Sequence, residues 1–99
     1  MPKSINEYLP PSYKGEIGKE IEHNLEHIKT GIKWSIAAKD YTSGANHWVR
    51  SLRYYLRLNY PLTVSERDEF ASDLFKIFYD TNDPHVRIKT AQVLGSVLR

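Results

Sequence analysis

Two clusters in this chain have residue types and spacings that could do chemistry. The first is His23-Asn24-Leu25-Glu26-His27, an H-x-x-E-H pattern. Two histidines four residues apart on a helix can share a zinc ion, and a glutamate between them can activate a bound water, the inverted zincin arrangement. The surrounding apolar spacing argues the other way. Leu25 belongs to the core stripe of its segment, and at 100° per residue His23 and His27 fall about 160–200° from it. They are expected on the solvent side, beside Glu22 and Glu26. No third ligand can be nominated. The expectation is a polar helix face with no metal and no cofactor.

The second cluster lies in Asn46 to Tyr60, NHWVRSLRYYLRLNY. Wound as a helix, this stretch places Trp48, Leu52, Tyr55, Leu56 and Asn59 on one core-facing stripe. Arg50, Arg53 and Arg57 follow at three- and four-residue steps as a basic stripe beside it. Such stripes commonly cover apolar surface with their stems and pair with Glu and Asp of neighbouring helices. The sharper use is a strip through which an independent helical adaptor binds an acidic protein or nucleic acid. Arg87, Lys76, Lys89 and Arg99 add isolated charges that would extend a basic surface.

Little else carries chemistry. His47 and His85 stand alone, and Gly15, Gly18, Gly31, Gly44 and Gly95 are scattered, so no phosphate-binding loop is formed. Cysteine is absent, which removes disulfides and thiolate metal sites. The chain is read as a protein that is not an enzyme. Its 14 Lys and Arg against 12 Asp and Glu leave a net charge of +2, too small for attachment to nucleic acid by bulk charge. The aromatics that would stack on bases sit mostly at core-facing positions. Nucleic-acid binding is therefore disfavoured. The opening MPKSINEYLPP lacks the apolar stretch of a signal peptide, and no apolar run reaches membrane-spanning length. A soluble protein is expected, with no membrane partner.

The elements that would position these side chains are helical. At 99 residues one domain is expected. Residues 1–15 read as an irregular lead-in, broken by Pro10-Pro11 and Gly15, with one packed turn from Ile5, Tyr8 and Leu9. Residues 16–99 read as a helical region. A first helix is predicted from Glu16 to Ala38 on the period of Ile17, Ile21, Leu25, Ile28, Ile32 and Ile36, with Trp34 on the opposite side. Gly31 marks a bend or a close helix approach. A polar loop follows over 39–45, and then the helix ending before Pro61. Ser65, with Asp68 three residues on, is placed to cap a third helix from Glu66 to Tyr79 carrying Phe70, Leu74, Ile77 and Phe78. Asp83 caps a fourth with Pro84 at its first position. Ile88, Ala91, Val93, Leu94, Val97 and Leu98 give that helix a broad apolar face.

The predicted fold class is all-α: four antiparallel helices as two HEAT-like helical pairs, a fragment of an α-solenoid. The chain has no exact internal repeat, but each pair is about 40 residues, the size of a HEAT unit. The expected core is Trp48, Leu52, Tyr55, Leu56, Phe70, Leu74, Ile88 and Leu94.

Trp48-Val49-Arg50-Ser51-Leu52-Arg53-Tyr54-Tyr55-Leu56-Arg57-Leu58 resembles a segment near the N-terminus of the large single-chain HEAT-repeat proteasome activators. In that family a W-x-R-x-L-x-x-Y-x-R-L helix follows a helix with an N-L pair and precedes a serine-capped helix and a fourth, apolar one. The counterparts here are Asn24-Leu25, Ser65 to Asp68 with Leu74-Phe75, and Ala91 to Leu98, so the likeness covers residues 16–99. The resemblance implies a dome of helical repeats that caps the proteasome core particle. Such a dome promotes degradation of peptides and unstructured proteins without ATP and hydrolyses nothing itself. It also implies the nucleus and cytoplasm as location, and a link to acetylated histones and DNA repair. The family engages the core particle through a C-terminal hydrophobic-Tyr-x tail, where this chain has Val97-Leu98-Arg99. It is therefore expected to be an N-terminal, structural part of such a protein.

Overall fold

The structure, a computed structural model, describes residues 24–99. The lead-in, the turn of Ile5, Tyr8 and Leu9, the first part of the predicted first helix and His23 lie outside these residues. Among the described residues the chain is all-α, with four α-helices, one π-helical turn and no strand. The helices are α1 (Leu25–Ala38), α2 (Asn46–Arg57), α3 (Val64–Asp80) and α4 (Pro84–Val97), with the π turn at Tyr41–Ala45.

Each boundary has a local cause. The apolar period predicted an unbroken helix from Glu16, but Asn24 is extended, with φ −85° and ψ 116°. Its Oδ1 accepts the backbone N–H groups of Glu26 and His27 at 3.0 and 3.3 Å, an N-cap that starts α1 at Leu25. α1 stops at Lys39, which is left-handed at φ 55°. There the Lys39 N–H bonds the Ile36 carbonyl at 3.2 Å and the Asp40 N–H bonds that of Ser35 at 3.0 Å, a Schellman closure. The predicted polar loop over 39–45 is instead a π turn running straight into α2. Asp40 fastens it, accepting from the Ser43 hydroxyl at 2.7 Å. The cap of α3 is Thr63, not Ser65. The Thr63 hydroxyl accepts the Glu66 N–H at 3.1 Å and the Glu66 carboxylate accepts the Thr63 N–H at 2.9 Å, a complete capping box two residues earlier than predicted. Asp83 caps α4 as expected, accepting the His85 N–H at 2.8 Å.

The helices form two antiparallel hairpins. In the first, Gly31 lies against Trp48, and Gly44 against Trp34 and Ser35, so positions advance on one strand of the hairpin as they retreat on the other. In the second, the Arg87 guanidinium donates to the Thr81 carbonyl at 2.7 Å and lies 5.6 Å from the centre of the Phe78 ring. Between hairpins the alignment is parallel. Lys33 reaches Asp73, 40 residues on, Tyr41 reaches Asp80, 39 residues on, and Asn46 reaches Lys89, 43 residues on. Thus α1 lies beside α3 and α2 beside α4.

The core fills the space enclosed by these four helices. Trp48, Leu52, Phe70 and Leu74 are fully buried, as are Ile28, Ile32 and Ile77, and Leu94 is nearly so. Tyr55 and Leu56 are half-buried against this cluster. Ile88, expected in the core, is 59% exposed. The buried side of α4 is Val86, Thr90, Val93 and Val97, which turns Ile88 outward. Thr90 fits there because its hydroxyl donates back to the Val86 carbonyl at 2.6 Å. Trp34, predicted opposite the core stripe, meets a second layer: it is buried against the π turn.

The tightest approach is between α1 and α2. A Cβ on Gly31 would lie 2.1 Å from the Trp48 ring. In an open helix Gly→Ala gains about 1 kcal/mol of helix propensity. At Gly31 the overlap outweighs this, because overpacking costs about 1–3 kcal/mol and here the obstacle is a fully buried indole. Gly95 on α4 has nothing within 4 Å of the same added atom. Urea denaturation should therefore give opposite signs: Gly31→Ala destabilises and Gly95→Ala stabilises. Equal effects at the two sites would refute the close approach.

Candidate functional site: a basic groove between α2 and α4

Because Trp48 points into the first hairpin, Arg50, Arg53 and Arg57 fall about 140–200° away from it around α2. Arg53 and Arg57 project into an open cleft of about 690 Å³ between α2 and α4. Asn59, Gln92, Ser96 and Arg99 complete its walls, and half-buried Leu56 with buried Val93 forms its floor. Among the described residues no carboxylate side chain lines it. Arg50 lies outside the lining, half-buried, with its charge acting on Lys89. Lys89 Nζ donates to Asn46 Oδ1 at 2.6 Å. Burial, then Arg50 and Arg53, hold the Lys89 pKa below the ordinary lysine value, against a weaker opposing pull from Asp83. The Arg57 guanidinium sits 6.0 Å from the centre of the Tyr54 ring, at the outer limit of a cation–π contact. Among the described residues no ion pair joins Arg50, Arg53 or Arg57 to a carboxylate.

Asn59 was expected on the core stripe of α2. It is exposed instead, because α2 ends at Arg57, before Pro61 exerts its restriction. Asn59 turns left-handed at φ 61°, a conformation asparagine tolerates better than most residues. That turn carries it to the mouth of the groove. Gln92 and Ser96 gave no sequence signal. Lys89 and Arg99 were legible only as isolated charges. Arg87 and Lys76 do not join them: Arg87 lies on Phe78, and Lys76 borders a separate recess with Ile36, Tyr41, Tyr79 and Asp80.

The other seam between the hairpins has the opposite electrostatics. Lys33 Nζ lies 2.9 Å from Asp73 and 3.0 Å from Glu69, and Lys29 lies 3.4 Å from Glu26 and 3.8 Å from Glu69. Burial pulls the Lys33 pKa down, but its bonds to Asp73 and Glu69 together outweigh this and raise it. The hydrogen bond from Lys33 holds the Glu69 carboxyl below its usual range, against burial. At the end of the seam the Tyr41 hydroxyl donates to Asp80, and burial followed by that bond pushes the phenol up to about 12. The cations of this seam are matched by acids, whereas among the described residues those of the α2–α4 groove are not.

Of the histidine cluster, Glu26 and His27 are among the described residues and His23 is not. His27, expected at the solvent side, is buried in the first turn of α1. The helix begins at Leu25, and its buried side spans His27, Ile28, Gly31, Ile32, Trp34 and Ser35, far wider than the isoleucine stripe. No group of three metal-ligating side chains occurs among the described residues. His47 is buried edge-on to Trp48 at 4.6 Å between ring centres, and His85 is exposed at the start of α4.

Fold and groove together define the class: among the described residues, an all-α arrangement of two side-by-side helical hairpins with a basic groove that no described acidic side chain lines. No helix among the described residues is long and apolar enough to cross a membrane. No family model, curated protein or solved structure matches the chain.

The lysine–carboxylate seam has a pH signature. Glu69 titrates lower in the folded chain, so its contribution is present above the ordinary glutamate value of 4.5 and is lost as pH falls through the folded value. Lys33 titrates higher, so its contribution is present below 10.5 and is lost as pH rises through the folded value. Lys33→Met leaves Asp73, 5% exposed, without its cation and should cost about 1–3 kcal/mol at neutral pH. Denaturation across pH should show the gap between wild type and Lys33→Met narrowing on both limbs. A gap independent of pH would refute the seam.

Proposed function

We propose that the chain is a structural module of a larger helical array, its two hairpins being early units of a stack that further hairpins continue. The observation that carries this reading is the character of the second hairpin on the side turned away from the first. A third hairpin added by the same sideways step would meet that side. By helical position it carries Phe75 and Phe78 of α3 and Ala91 and Leu98 of α4, with Tyr79 at its edge, stacked on Phe75 and bordering the recess shared with Ile36 and Tyr41. Phe75 is 41%, Tyr79 75% and Leu98 55% exposed. The Phe75 and Tyr79 rings stack with centres 6.1 Å apart. An adjoining set of exposed apolar groups of this kind is characteristic of interaction surfaces, and a repeat without a polar cap has one where its neighbour belongs.

The array proposed is that of the single-chain, ATP-independent proteasome activators. Its support is the Trp48 to Leu58 stretch, of which Trp48 and Leu52 are core packing residues. In this reading the chain catalyses nothing, the longer protein caps the proteasome core particle, and its place is the nucleus and cytoplasm.

The test is the size and company of the native protein. An antibody to this chain, used on native extracts, should detect a species far above 11.5 kDa that co-migrates with core particles and stimulates their peptide hydrolysis without ATP. Tyr79→Glu with Leu98→Glu in the full-length protein should abolish that co-migration. Detection only at the small mass, free of core particles, would overturn the proposal.

A further inference from the structure

We propose that the groove between α2 and α4 binds an acidic polypeptide segment in extended form, its carboxylates on Arg53, Arg57 and Arg99 and its backbone on Asn59, Gln92 and Ser96. This goes beyond the array reading and rests on a different part of the surface from the Phe75–Tyr79–Leu98 side, so either can fail alone.

Three features select this ligand. The first is charge: three guanidinium groups line a cleft in which, among the described residues, no carboxylate side chain takes part, and Lys89 and Arg50 lie beside it. The second is repeat. Arg53 and Arg57 are one helical turn apart, about 5–6 Å between Cβ atoms. Alternate side chains of an extended peptide recur at about 6–7 Å on the same face. Acidic residues at every second position therefore meet successive arginines, and guanidinium groups favour paired hydrogen bonds to carboxylates. The third is the remaining chemistry. Asn59 and Gln92 each offer an amide donor and acceptor, and Ser96 a hydroxyl, the groups that satisfy a peptide backbone. Leu56 and Val93 supply an apolar floor for the side chains pointing the other way.

A nucleic acid fits less well. Among the described residues no aromatic side chain lines the groove, so they offer no stacking platform of the kind single strands use. The net charge of +2 is small for a phosphate backbone.

The experiment is fluorescence anisotropy with a fluorescein-labelled peptide of alternating Glu and Val against the 99-residue chain. The glutamate peptide should bind, more weakly as salt rises, and its Gln–Val counterpart should not. Arg53→Glu with Arg57→Glu should weaken binding at least about ten-fold while leaving the helical circular dichroism intact, since both side chains lie outside the core. Lys76→Glu, which removes an exposed charge from α3 away from the groove, should leave binding unchanged. Absence of peptide binding would overturn the proposal. So would equal loss in Lys76→Glu, or stronger competition by a single-stranded oligonucleotide of the same charge.

Discussion

The seating of Trp48 on the bare backbone of Gly31 sets both the separation and the rotation of α1 and α2. The indole occupies the place where any Cβ at position 31 would stand. It is fully buried, as is Leu52 one turn further along α2. With those two side chains inside the hairpin, α2 has no rotational freedom left. Arg53 and Arg57 must lie on its far side, at the edge that α4 approaches. The basic groove is thus a consequence of core packing. The Arg positions are fixed by a contact on the opposite side of their own helix, and α4 only closes the second wall.

The two seams between hairpins divide the charge of the chain unequally. On the α1–α3 seam Lys29 and Lys33 face Glu69 and Asp73, with Asp73 almost fully buried. Removing Lys33 there leaves buried Asp73 without its cation, whereas Lys33 and Glu69 keep contact with water. On the α2–α4 seam Lys89 makes a neutral contact to Asn46, and its neighbours Arg50 and Arg53 are of its own sign. Like charges held together oppose folding. A packed protein keeps such an arrangement at low cost only where water or an anion can screen it, and the groove is open to solvent. Binding an acidic segment would relieve the repulsion from Arg50 and Arg53 that, after burial, lowers the Lys89 pKa.

Much of this fold was legible in the chain. Ile28 and Ile32, Trp48 and Leu52, and Phe70, Leu74 and Ile77 recur at helical spacing and all are buried. Asp83 before Pro84 marked the start of α4 correctly. The misreadings share a cause: periodicity reports which residues are apolar, not where the backbone turns or what covers a face. The isoleucine period ran through Asn24 without registering that its side chain caps a helix there. Gly44 and its polar neighbours resembled a loop, whereas Gly44 is needed because a Cβ would fall 2.6 Å from the Trp34 ring. Ile88 was placed inside because the apolar positions of α4 extend around most of the helix. Thr90, which hides its hydroxyl on the backbone, holds the buried place instead. Of the groove, only the arginine spacing could be seen. Asn59 reaches it through a left-handed turn, and Gln92 and Ser96 through a parallel register that links residues some 40 positions apart.

That register also explains why no internal repeat shows in the sequence although the two hairpins lie side by side in like orientation. A shift of 40 residues carries Lys33 onto Asp73, and the same shift carries Lys29 onto Glu69. Lysine meets acid at these positions because they face each other across the seam. Identical residues there would set lysine against lysine. Two units that stack on each other need complementary surfaces at the shared face, not identical ones. The same logic applies to Phe75 and Tyr79. Under that shift they correspond to Ser35 and Lys39 of the first hairpin, a buried hydroxyl and a left-handed helix end. Each position inside the fold is set by what it packs against, and on the outer side of α3 and α4 Phe75, Tyr79 and Leu98 are the exposed groups that the proposed array would cover.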